Sequence, residues 1–217
     1  LRRMYGNNEN IFYYLTLMNE NYQHPAMPEG DDVAEQIIKG IYKLERVEND
    51  KSKLNVQLMG SGTILNEVRK AAQILCNDYN VSSDVYSVTS FNELAREGQD
   101  VARWNMLNPE AEQKVPYIGQ VITKDAGPAI SATDYVKNYS DQVRAFIETE
   151  YRCLGTDGFG RSDSRENLRT HFEVNASYIV VASLYELAQR GDVEKKVVAE
   201  AIKRFEINAE KLNPLYA

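Results

Sequence analysis

The chain has 217 residues, 43% hydrophobic and 26% charged, with a formal net charge of -7 at neutral pH. That suits one large packed domain, or a domain with a flanking piece. The acidic balance argues against a nucleic-acid partner or an anionic-membrane footprint, and no apolar run reaches the roughly 18 residues that mark a membrane span.

Residues 1–6 read as the tail of a helix stopped at Gly6 in the left-handed conformation, so the chain reads as part of something longer. Residues 11–17 (IFYYLTL) form a continuous apolar and aromatic run of strand length, the kind covered on both faces. Residues 19–30 hold two prolines and a closing glycine and read as a loop and linker. A short helix is expected over 31–40, and the charged stretch 43–53 reads as a surface turn.

A strand–helix–strand rhythm follows. Residues 54–59 make a strand, Gly60, Ser61 and Gly62 the turn after it, and 63–79 an amphipathic helix with one apolar stripe from Ile64 to Tyr79. Residues 84–89 read as a strand alternating outward and inward. Ser90 and Glu93 have capping-box spacing and open a helix expected to bend or break near Gly98. Pro109 ends the element. Two short strands are expected over 116–122 and 128–132. Thr133 then caps a helix carrying Tyr135, Val136, Tyr139, Val143 and Phe146 on one side. Residues 151–154 form a strand, followed by a glycine-rich loop and a helix that Asp163 and Glu166 would box. Asn175 caps the next helix and Gly191 stops it; Asp192 caps the last. The sum is an α/β fold: a three-layer domain with a mostly parallel sheet and helices on both faces.

Candidate chemistry is sparse. Gly60, Ser61 and Gly62 stand between a strand and a helix and are candidates for holding an anion at the helix N-terminus, although the pattern is neither a full dinucleotide fingerprint nor a P-loop. A plain tight turn is the alternative. On the first reading the chain would be an autonomous anion- or nucleotide-binding module. Arg161, Arg165 and Arg169 lie four apart, which suggests one basic face suited to an interface or to an anion. His24 and His171 lack a visible acid–base partner. The two cysteines, Cys76 and Cys153, are far apart in apolar surroundings and read as buried reduced thiols, which points to a cytoplasmic compartment. Thr156-Asp157-Gly158 approaches the Gly-Asp-Gly that carries magnesium in thiamine diphosphate enzymes. Its first glycine is displaced, and Asn167 and Asn175 belong to helices, so Asp157 reads as a loop residue.

Gly158-Phe159-Gly160-Arg161-Ser162, after a strand and before a helix, resembles the C-terminal domain of the transketolase family. Three long strings narrow this: ENIFYYLTLMNENYQHPAMPEG (9–30), VYSVTSFNELAREGQD (85–100) and YRCLGTDGFGRSDSRENLRTHFEV (151–174). They resemble the C-terminal quarter of the homodimeric bacterial pyruvate dehydrogenases. The resemblance implies residues 1–30 as the end of the middle, pyrimidine-binding domain plus linker, and 31–217 as the transketolase-like C-terminal domain. It implies thiamine diphosphate and magnesium in the full-length enzyme, with none bound to this fragment, which would be structural and inactive alone. It implies a homodimer and the dihydrolipoyl acetyltransferase component as partner. No catalytic, cofactor-binding or metal-binding residue of the family maps onto this chain by a quotable motif.

Overall fold

The computed structural model describes residues 1–15, 17 and 20–217. Five strands build one sheet: β1 (Ile41–Val47), β2 (Asn55–Gly60), β3 (Ser82–Val88), β4 (Ala129–Ala132) and β5 (Tyr151–Leu154). Their order is β1-β3-β2-β4-β5. Only β1 runs antiparallel, against β3; the other neighbours are parallel. Parallel neighbours need crossovers, and helices supply them. Helix α1 (Val33–Lys39) precedes β1. Helix α2 (Leu65–Tyr79) joins β2 to β3. Helices α3 (Phe91–Leu107) and α4 (Tyr117–Val121) lie between β3 and β4, and α5 (Lys137–Asp141) between β4 and β5. Helices α6 (Arg165–His171), α7 (Ala176–Arg190) and α8 (Lys195–Arg204) close the chain.

The strands' two-residue period divides the core in two. Val56, Leu58, Val85 and Ile130 meet α2, α7 and α8 on one face. Met59, Tyr86, Val88 and Tyr151 meet Phe91, Leu94, Ile118 and Ile147 on the other. Ile179, Val180, Leu184 and Leu187 of α7 are fully buried, as their spacing predicts. Each stabilises the fold by about 2 kcal/mol of removed apolar surface. The expected three-layer α/β architecture is therefore present.

Several local expectations need correction. The stretch 43–53 is not a turn, since β1 runs through it to Val47. Its strand character is masked by Lys43, Glu45 and Arg46, whose charges reach Asp84 and Arg69. Such charges suit an edge strand. Residues 117–121 are helical, not a strand. Ile118 and Ile122 stand four apart and bury together, a helical spacing that a five-residue window conceals. Strand β3 does not alternate: both its faces are covered. Helix α3 runs unbroken through Gly98, where a Cβ would come within 2.4 Å of the Phe146 ring. The glycine there serves packing.

Thr133 caps no long helix. Its region folds as the short α5 and a 3-10 turn at Arg144–Phe146, with Tyr135 and Val136 exposed. The cap of α6 is Ser164, whose hydroxyl accepts from the Asn167 N–H at 3.3 Å, so the proposed box at Asp163 lies one residue early. Asp163 instead accepts from the Ser164 N–H and the Asn167 amide. Glu194, not Asp192, precedes α8. Ser90 caps α3, but the Glu93 carboxylate pairs with Arg96 and the Ser90 N–H goes to the Gly40 carbonyl. Asn175 and Gly191 cap and stop α7 as expected.

Gly6 ends a single wide turn (Arg2–Gly6) whose next residue, Asn7, is right-handed, so no left-handed glycine stops it. The strand expected over 11–17 falls partly on Thr16, outside the described residues. Residues 11–15 and 17 form none, and Phe12 and Leu17 are 85% and 91% exposed. The linker from Glu20 to Gly30 is irregular; Asn19 lies outside the described residues. Both cysteines are free, as expected, but only half-buried.

Two glycines separate backbone strain from crowding. Gly127 (φ +93°) would place a Cβ 2.1 Å from the Asn55 carbonyl oxygen, whereas Gly191 (φ +82°) has open space. Gly191→Ala should cost about 1–2 kcal/mol, the left-handed strain alone. Gly127→Ala should cost about 3 kcal/mol or more, because overpacking adds to the strain. Urea unfolding of the two variants measures the difference.

Asp84 supplies a pH test. Burial pushes its carboxyl up, but hydrogen bonds from Lys43, Arg46 and Asn55 outweigh this and hold it below the usual value. A depressed folded value gives stability that is complete above the unfolded value and lost as pH falls through the folded one. The stability gap between the wild type and Asp84→Asn should therefore be widest near neutrality and shrink below about pH 4. Denaturant titrations across that range test it.

Candidate functional site

The parallel strands β2, β3 and β4 end together, and successive crossovers leave them to opposite sides of β2. Such a divergence opens a crevice beyond the carboxyl ends of the strands. The turn after β2 lies there. Gly60 allows Leu65 to approach, since a Cβ would stand 2.8 Å from the Leu65 Cα. Gly62 is left-handed (φ +57°) and faces open space. The Ser61 hydroxyl donates to the Thr133 hydroxyl at 2.7 Å, tying the β2 turn to the β4 turn. The Thr63 hydroxyl donates to an Asp134 carboxylate oxygen at 3.0 Å. Of the anion candidates Gly60, Ser61 and Gly62, the serine is thus engaged with Thr133. A carboxylate of the protein already stands beside the start of α2, where the helix end favours negative charge.

A cleft of about 650 Å³ opens over this turn, lined by Tyr22, His24, Tyr42, Ser61, Asp134 and Tyr135 among others. Its roof is the irregular segment Tyr22, Gln23, His24 and Pro25. That segment is held by arginines. Arg165 meets the Glu20 carboxylate at 2.9 Å and lies 5.9 Å from the centre of the Tyr22 ring. Tyr22 donates to Glu20 at 2.6 Å, and with Arg165 it keeps the Glu20 carboxyl below its usual range. Arg169 reaches the Tyr22 and Thr63 hydroxyls at 3.5 and 3.4 Å. The basic face therefore divides: Arg161 stands exposed, while Arg165 and Arg169 turn inward, although all three line one smaller cleft of about 280 Å³.

Glu67 is the residue that pattern reading missed. It is buried in the first turn of α2. One carboxylate oxygen accepts from Lys70 at 2.8 Å and Arg169 at 3.3 Å; the other accepts from the Ala176 N–H at 3.1 Å, at the start of α7. A glutamate between Ile64 and Val68 on an apolar stripe was the available signal.

His171 has its imidazole value lowered by burial and by the neighbouring Arg161 and Lys211. It packs edge-on against Phe172 and has no acid–base partner among the described residues. His24 lines the larger cleft without a hydrogen-bonded partner among them. Asp157 accepts the Lys137 N–H at 3.0 Å and faces the Lys137 ammonium at 3.7 Å. The Asn167 amide is spent on Asp163, and Asn175 on Thr170 and Tyr178. These residues do not fit a diphosphate–magnesium group. No group of three His, Cys, Asp or Glu is placed to hold a metal ion among the described residues. Nor, among them, is any helix long and apolar enough to cross a membrane.

A mostly parallel α/β unit with an antiparallel edge strand and a crevice at its carboxyl end defines the class. Residues 40–175 match the family model described as the transketolase-like TK C-terminal domain, and residues 1–25 match the pyruvate dehydrogenase E1 component middle domain. The chain belongs to the transketolase-like C-terminal domain family. It is 62% identical over its whole length to the pyruvate dehydrogenase E1 component of Escherichia coli (strain K12). The Haemophilus influenzae and Pseudomonas aeruginosa components are 57% and 52% identical over 100% and 99% of this chain. The chain spans 24% of the length of each of these relatives. Transketolase from Leishmania mexicana covers 71% of this chain and is covered over 19% of its own, at 18% identity and a TM-score of 0.47.

Glu67→Ala should destabilise the fold by about 3 kcal/mol, since it strands the largely buried Arg169 and the Ala176 N–H. Glu67→Gln keeps an acceptor for Ala176 and should cost less. Guanidinium unfolding of both variants checks the order.

Proposed function

We propose that the chain is the C-terminal part of a pyruvate dehydrogenase first component. The carrying observation is 62% identity across the whole chain with the Escherichia coli E1 component. On this reading the full-length protein decarboxylates pyruvate with thiamine diphosphate and magnesium and passes the acetyl unit to the lipoyl group of the dihydrolipoyl acetyltransferase component. The cofactor supplies the carbanion chemistry when bound, and the protein positions it. The poor fit of Asp157, Asn167 and Asn175 to that group supports placing the cofactor in upstream segments.

The division follows the same reading. Residues 1–30 are the end of the middle domain and its linker, and 31–217 the C-terminal domain. The exposed Phe12, Tyr14, Leu15 and Leu17 suit a segment that packs against the rest of its own domain. Arg165 and Arg169 are interface residues within one polypeptide, fastening the end of one domain onto the next through Glu20 and Tyr22. Arg161 is left for contacts beyond the chain. The Gly60–Gly62 turn serves packing between β2 and α2. The assembled enzyme is a cytoplasmic homodimer.

Calorimetry and activity assays test this. The full-length protein should bind thiamine diphosphate and consume pyruvate in the presence of a lipoyl acceptor. The 217-residue chain alone should show no saturable binding of the cofactor. Saturable binding to the chain alone would overturn the division of labour. Turnover of another 2-oxo acid in place of pyruvate would overturn the substrate.

A further inference from the structure

The large cleft at the carboxyl ends of β2, β3 and β4 has a lining that the proposed activity does not use. Its residues include Tyr22, Tyr42, Ser61, Thr63, Ser87, Thr89 and Tyr135, and neither a lysine nor an arginine. Part of this hydroxyl set is already satisfied: Ser61 donates to Thr133, Thr63 to Asp134, Thr89 to the Ile37 carbonyl and Tyr22 to Glu20. The side chains of Tyr42, Asn66, Ser87 and Tyr135 make no hydrogen bond among the described residues. The second carboxylate oxygen of Asp134 accepts none among them either. Unused donors and acceptors thus converge on one cavity of about 650 Å³, within the roughly 300–1,000 Å³ of small-molecule sites.

We propose that this cleft binds a neutral polyhydroxylated molecule, a sugar or polyol without phosphate. Position, volume and chemistry agree. The cavity stands where open parallel sheets take ligands. A carboxylate oxygen, an amide and several hydroxyls match the alternating donors and acceptors of a polyol, and one carboxylate can accept from two neighbouring hydroxyls. The tyrosine rings offer flat apolar faces with a polar tip, suited to the C–H faces of a sugar ring. An anionic ligand is disfavoured: it would meet the Asp134 carboxylate, and Arg169, which reaches the Tyr22 and Thr63 hydroxyls at the edge of the cleft, is already engaged by Glu67. The Gly62 turn therefore leaves room for a ligand without acting as an anion cradle. Segment Tyr22 to Pro25 covers the occupant and is tied to the α/β unit through the Glu20 and Tyr22 contacts with Arg165 and Arg169.

The test is saturation-transfer NMR on the full-length protein with D-glucose, D-ribose and myo-inositol as probes, and glucose 6-phosphate as the anionic counterpart. At least one neutral probe should show transfer at millimolar concentration. Its affinity should fall about tenfold in Asp134→Asn and in Tyr42→Ala, the loss expected of one or two hydrogen bonds. Ser87→Ala replaces either variant that lowers the melting temperature. The proposal is overturned if none of the three neutral probes shows transfer at tens of millimolar. It is also overturned if transfer survives the variants unchanged, or if the phosphorylated sugar binds more tightly than the free one.

Discussion

The buried carboxylate of Glu67 is the interaction on which the rest of this molecule turns. A charge inside a protein is costly unless fully paired, and removing any partner leaves an uncompensated group. Glu67 has three partners on three elements: Lys70 on its own helix, Arg169 on α6 and the Ala176 N–H that begins α7. Helices α2 and α7 would pack through their apolar stripes in any case, but apolar packing is not directional. The carboxylate fixes their register. It receives one of the N–H groups that the start of α7 leaves without a helical partner.

Arg169 extends the same tie outward. One part of its guanidinium faces Glu67, and another faces the hydroxyls of Tyr22 and Thr63. The placement of an irregular segment is thereby coupled to the packing of two core helices. Arg165 adds a contact at Glu20, whose half-exposed carboxylate keeps the pair's contribution small. Arg169, the more buried of the two, held among carboxylate and hydroxyl groups, does most of the anchoring.

The architecture was legible in the sequence where a periodic signal was long. Helices α2 and α7, the strands at 55–60 and 151–154, and the caps at Ser90 and Asn175 all follow from local patterns that the core also rewards. Reading failed where tertiary context decided. Strand β1 looks like a charged turn because its charges are answered across the sheet, by Asp84 and by Arg69 of α2. Gly98 looks like a helix breaker because its reason, the Phe146 ring, is distant in sequence. The site was less legible still. Four-residue spacing suggests one helical face for Arg161, Arg165 and Arg169, but α6 begins only at Arg165, so Arg161 stays in the loop before it while Arg165 and Arg169 turn inward. Glu67 becomes visible only when Arg169 and Ala176, more than a hundred residues away, come to meet it.

The two ends of the sheet differ in a way that bears on function. At the amino end, the Gln57 side chain binds the Thr123 backbone on both sides and the Gly127 carbonyl, and the Asn55 amide binds Asp84 and the Ala126 carbonyl. Thr149 adds a bond to Gly127. That end is sealed by short, saturated polar contacts, and Gly127 is pressed so close to Asn55 that no side chain fits. At the carboxyl end the turns after β2 and β4 touch through the Ser61–Thr133 hydroxyl pair, the Thr63–Asp134 bond and the Ser61 N–H on the Ala132 carbonyl, and beyond them lie open clefts. The polar groups there are only partly used. A fold that saturates one end and leaves donors and acceptors open at the other has a stable base and a binding face. The Tyr22 roof and, through Gly158, Gly160 and Arg161, the glycine-rich loop after β5 line clefts at that open end.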